Sequence, residues 1–171
     1  CRRDYAILLR ATNGGYLHRI TLLIITPDLQ QDSLPNLSTE HGQKLIDPHL
    51  QGVELVVIDN LSTLCTNGKE NDAESWETMQ QWLLMLRRRG VAILFIHHSG
   101  KNKDQRGTSR KEDIADTVIS LKRPEDYKKR EGARFEVHYE KARHIFGEAA
   151  EPFEVQLTTD NGLLCWNVKK I

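Results

Sequence analysis

Paired cysteines, a net charge and long apolar runs are all missing from this sequence, and each absence closes off a class of protein. The three cysteines, Cys1, Cys65 and Cys165, are odd in number, far apart and never in a CxxC pair. Neither a disulfide framework nor a zinc knuckle is expected, and a reducing cytoplasmic compartment is the easier setting. Lysine and arginine together number 24, as do aspartate and glutamate, so no global field draws nucleic acid or anionic lipid and any such binding must come from local patches. No segment approaches the roughly 20 apolar residues of a membrane span, and no signal-peptide core follows the charged start Cys1 to Tyr5. No membrane partner is expected. Also absent is a glycine-rich turn that ends in lysine and a hydroxyl: GxxxxGK[ST] occurs nowhere, and Gly14 with Gly15 is no substitute. The chain therefore lacks the backbone cradle that grips the inner phosphates of a nucleotide.

What is present fits one compact domain over residues 1–171, with 28% charged residues and enough length to bury a core. Because it begins at Cys1 and runs at once into the apolar Tyr5 to Ala11, the numbering is expected to start inside a longer gene product. Tyr5 to Ala11 reads as a helix or the end of one, broken at Asn13-Gly14-Gly15. Ile20 to Thr26 is β-branched and reads as a strand closed by Pro27. Asp28 to Gly52 reads as a surface loop with a short helix. Val53 to Ile58 is a continuous apolar run rich in valine, the pattern of a strand covered on both faces in a parallel sheet.

The next element decides the architecture. Asn71 can cap a helix with Glu74 as its capping box, and Trp76, Met79, Leu83 and Leu86 then share one face. Arg87 to Arg89 complement the helix dipole and Gly90 ends it. A second apolar run, Val91 to His98, follows at once, so strand, helix and strand make a βαβ unit with parallel strands. Further on, Asp116 to Leu121 reads as a strand, Phe135, Val137 and Tyr139 alternate, and Phe153 to Val168 reads as a hairpin turning at Asp160 to Gly162. The class is α/β: a mainly parallel sheet with flanking helices and a C-terminal antiparallel hairpin.

Ligands of open α/β sheets sit beyond the carboxyl ends of parallel strands. There the sequence places Asp59 with Asn60 after one strand, and His97 with His98 after the next. An acid at a strand tip suits a hydrated magnesium ion carrying phosphates; equally, Asp59 and Asn60 can cap a turn. The paired histidines have no third ligand at useful spacing, which argues against a metal site. Lys101, Lys103, Arg106 and Arg110 offer a phosphate-binding loop, or a solvated turn balanced by Asp104 and Glu112. Lys141 and Arg143 share one side of an alternating strand, which is either an exposed face or a grip for phosphate oxygens.

In order and spacing, the segments "VELVVIDNLSTL", "GVAILFIHHSGK", "QRGTSRKEDIADTVISL" and "RFEVHYEKARHIFG" resemble the carboxyl-terminal portion of the RecA-like ATPase core of RepA-type hexameric replicative helicases. The resemblance covers most of the chain from about Ile20 onward. It implies an incomplete RecA-like domain that begins near the Walker B strand and lacks Walker A. It matches Asp59 to the Walker B aspartate over magnesium and His98, beside His97, to a sensor of the γ-phosphate. Lys141 and Arg143 match a pair extended onto a neighbour's ATP, and Ser99 to Arg110 a loop that touches single-stranded DNA. A homohexamer acting as a DNA helicase or primase-helicase in plasmid, phage or mobile-element replication follows from the same likeness. Departures accompany it: no Walker A, no water-activating acid before Ile20, and Asp116 near a position where some of these proteins carry arginine. No ATP hydrolysis is expected from this chain alone. The competing class is a non-catalytic, degenerate RecA-like module that binds DNA or a partner, and a histidine-based metalloenzyme is a third.

Overall fold

The computed structural model describes residues 5–12, 19–30, 33–65, 73–97 and 112–171. The chain divides into two compact units, Cys1–Thr108 and Ser109–Ile171.

The first unit holds a four-stranded sheet in the order β2-β1-β3-β4, built from β1 (Tyr5–Thr12), β2 (Arg19–Ile25), β3 (Leu55–Asp59) and β4 (Ala92–Ile96). Tyr5 to Ala11 is thus a strand and not the helix its pattern suggested. A short apolar run has no period that separates the two states, and here β1 pairs on both sides, antiparallel with β2 and with β3. The βαβ expectation holds: β3 and β4 are parallel, with Val57 opposite Leu94 and Asp59 opposite Ile96.

The crossover contains α3 (Leu61–Leu64) and α4 (Ala73–Arg88), whose Met79, Trp82, Leu83 and Leu86 are buried; α1 (Pro27–Gln30) lies upstream. Asn71 lies outside the described residues. Helix α4 ends in a Schellman motif: Val91 N–H donates to the Leu86 carbonyl and Gly90 N–H to that of Arg87, with Gly90 at φ 81°. Asp28 to Gly52 is more structured than the expected loop. Thr39 caps α2 (Glu40–Ile46) by accepting from Gly42 N–H at 3.1 Å, and a 3-10 turn follows at Asp47–Leu50. Leu37, Ile46 and Leu50 are buried there.

Burial on β3 alternates. Val56 and Ile58 are buried, whereas Leu55, Val57 and Asp59 are half-buried. Their neighbours on β4, Leu94 and Ile96, are exposed. The run therefore buries one face fully, not both, and Asp59 stands on the more open one.

The second unit is an antiparallel sheet in the order β5-β6-β7-β8, from β5 (Thr117–Lys122), β6 (Arg134–Ala142), β7 (Phe153–Asp160) and β8 (Leu163–Lys170). The expected hairpin is its β7-β8 half, and Asn161 and Gly162 turn with positive φ, 48° and 80°. Register sorts the two faces. Leu121, Val137 and Phe153 align on one, as do Phe135, Val155 and Val168; Lys122, Glu136, Glu154 and Lys169 align on the other. Phe135 and Trp166 meet edge to face across β7, with ring centroids 5.9 Å apart.

Candidate functional site

Asp59 is the last residue of β3. Strand pairing on both sides fixes its backbone, with Tyr5 of β1 opposite on one side and Ile96 of β4 on the other. The Asp59–Asn60 peptide is cis. Asn60 is buried, and its carbonyl accepts from Leu64 N–H at 3.3 Å, closing α3 directly behind the acid. The Leu64 carbonyl in turn accepts from Leu37 N–H at 2.7 Å, which ties this corner to the segment before α2. The acid is thus delivered to a strand tip by an inner strand of the unit, paired on both sides, as an open α/β sheet requires.

His97 follows β4 by one residue, with its ring Nδ1 buried and the ring half-buried. The structure therefore brings Asp59, Asn60 and His97 to the same carboxyl end of the parallel pair. Alternation separates them, because Asp59 shares a face with Ile96 and not with the residue after it. His98, Lys101, Lys103, Arg106 and Arg110 lie outside the described residues.

Lys141 and Arg143 belong to the second unit, and their partners there are local. Lys141 Nζ donates to the carbonyls of Glu112 and Asp113 at 2.7 and 3.2 Å. Arg143 N–H donates to the Asp116 carbonyl at 3.0 Å, and its guanidinium reaches Asp116 Oδ1 and the Asp113 carbonyl, each at 3.5 Å. Both cations brace residues 112–116, next to the basic run. Asp116 is the acid that Arg143 pairs with.

One cluster escaped the sequence reading. Arg134 bonds Glu154 at 2.8 Å, Glu131 at 3.1 Å and Asp126 at 3.1 Å. Bonding to Glu154, then to Glu131, raises the guanidinium pKa above its ordinary value. Glu131 is held below the usual carboxylate range by the Lys128 backbone N–H and by Arg134. Glu140 is lowered by the Ser120 hydroxyl and then by Lys122. Charged residues at alternate positions of β6, from Arg134 to Glu140, were the signal. This network braces the polar face of a sheet.

A lone carboxylate on an open strand tip fits a magnesium ion held through its water, since Mg²⁺ keeps several waters and takes one or two protein carboxylates. Among the described residues no group of three or more His, Cys, Asp or Glu could hold a metal directly. The metal half of a nucleotide site therefore fits these residues, whereas the phosphate half does not, for want of the glycine-rich turn. No described helix is long and apolar enough to cross a membrane. Compared with protein families, residues 3–104 match the model described as an AAA domain, more than half of the chain. No curated protein and no solved structure matches it.

Proposed function

Because the chain belongs to the AAA domain family, an ATPase-type module, we propose that it forms the Walker B-bearing, carboxyl-terminal part of the ATPase core of a RepA-type DNA helicase or primase-helicase. The observation that carries this reading is Asp59 at the carboxyl end of β3, beside the parallel β4. In this reading the Asp59 carboxylate would hold a hydrated magnesium ion, and Asn60 and His97 shape the same strand ends. Bound magnesium would neutralise charge on the β- and γ-phosphates of ATP. His98 relays nucleotide state to the segment Ser99 to Arg110, whose Lys101, Lys103, Arg106 and Arg110 contact phosphates of single-stranded DNA. Lys141 and Arg143 serve a neighbouring subunit's nucleotide in a homohexamer. Their partners at residues 112–116 are backbone carbonyls and one half-exposed carboxylate, which a phosphate's greater charge can replace.

Without GxxxxGK[ST], the chain itself is proposed not to turn over ATP. That absence also favours a second reading, a degenerate RecA-like module that binds DNA or a partner without catalysis. The decisive measurement is ATP hydrolysis by the chain alone and by the protein that includes its phosphate cradle. The expected result is no turnover from the chain and DNA-stimulated turnover from the longer protein, lost by 100-fold or more in Asp59→Ala, roughly the scale of removing a main electrostatic contributor. Near-normal turnover in Asp59→Ala would reduce the acid to a turn cap. A longer protein that carries no cradle and binds no ATP would select the second reading.

A further inference from the structure

Strand β8 is the outer strand of its sheet and pairs only with β7 among the described strands. Its side chains on the apolar face, Leu164, Trp166 and Val168, are 72%, 54% and 67% exposed. An eight-residue edge strand of this kind is a template for another strand. From this we infer that β8 pairs antiparallel with β8 of a second copy of the chain, across a two-fold axis at Trp166. The inference goes beyond the nucleotide reading and does not rest on it.

Two features choose this occupant and this register. First, side chains alternate with period two, so only every second register matches apolar face to apolar face. With Trp166 opposite Trp166, Leu164 meets Val168 of the second copy, and on the polar face Cys165 meets Asn167 and Leu163 meets Lys169. The apolar-face pairs match in character and no like charges are opposed, which makes the apolar face of β8 complementary to itself. Second, the strand's only charges, Lys169 and Lys170, sit at one end. A parallel, in-register pair would stack lysine on lysine, and like charges directly opposed are destabilising. The antiparallel pair sends the lysines to opposite ends, about 20 Å apart at the usual rise per residue. Charge therefore selects a closed pair over an open stack.

The test is sedimentation equilibrium of the whole chain, with cross-linking to read the register. The native chain is expected to dimerise, and Trp166→Lys and Val168→Lys to raise the dissociation constant by about tenfold or more. Val168 is the more exposed of the two, so circular dichroism should show the fold of Val168→Lys unchanged. Trp166→Lys also removes the edge-to-face contact with Phe135, so Val168→Lys carries the test should the tryptophan variant unfold. In a chain carrying Cys1→Ser, Cys65→Ser and Asn167→Cys, mild oxidation should give a covalent dimer joined between positions 165 and 167, identified by mass spectrometry. A monomer at all concentrations overturns the pairing, and so does a dimer insensitive to both lysine substitutions. A monomer with slowly exchanging outer β8 amides would assign the edge to another segment and equally overturn it. Cross-linking of position 165 only to itself would overturn the register.

Discussion

At the scale of single residues, the sharpest constraint falls where no charge is involved. Gly42, at the start of α2, lies so close to the preceding turn that a Cβ there would land on the Asn36 carbonyl. That turn is itself fixed, since Asn36 Oδ1 accepts from Ser38 N–H at 3.0 Å and from Ser38 Oγ at 2.6 Å. Because the obstacle is backbone and not the end of a flexible side chain, Gly42→Ala is expected to destabilise the chain by about 2 kcal/mol, at the scale of overpacking. Urea denaturation checks this, and a midpoint equal to the parent's would show that the turn can yield. Nothing in the sequence marked Gly42, because close approach is a relation between segments and one glycine in a polar stretch carries no pattern. Asp59 was legible for the opposite reason: a charged residue ending an apolar run contradicts its surroundings.

Elements show the same division. Helix α4 was readable from start to stop, since its apolar spacing, basic last turn and terminal glycine all point one way. Gly90→Ala tests that stop. With φ at 81° and nothing within reach of an added Cβ, the cost is conformational alone, about 1 kcal/mol, and a shift of the thermal midpoint measures it. A cost near zero would mean that the end of α4 re-forms without its left-handed residue. The error on Tyr5 to Ala11 had a physical cause. Apolar residues on every side are equally at home in a buried helix and in an inner strand, and only the partners β2 and β3 decide. The hairpin of β7 and β8 announced itself through Asn161-Gly162, but the pairing of β6 with β5 and β7 depends on contacts between distant segments, which alternation alone does not assign.

For the whole molecule, charge governs the second unit and apolar burial the first. Glu131 and Glu140 are both held below the ordinary carboxylate range by hydrogen bonds and cations. A carboxylate with a depressed folded pKa contributes stability that is complete above its unfolded pKa and is lost as pH falls through the folded value. The chain should therefore melt at progressively lower temperature as pH drops through about 4 and below, near the unperturbed glutamate value. Ser120→Ala removes the main hydrogen bond that lowers Glu140, so it should reduce the melting temperature at neutral pH and make the acid-side decline smaller, ending at higher pH; identical pH profiles would discount the Ser120 bond. The first unit has its own internal order. In its sheet β3 lies between β1 and β4, with strands on both sides, while β2 and β4 form the margins. Openings that start at a margin reach an inner strand last. The amides of β3 should thus be among the slowest to exchange with solvent, so Asp59 rides on a part of the molecule that keeps its shape while the edges fluctuate.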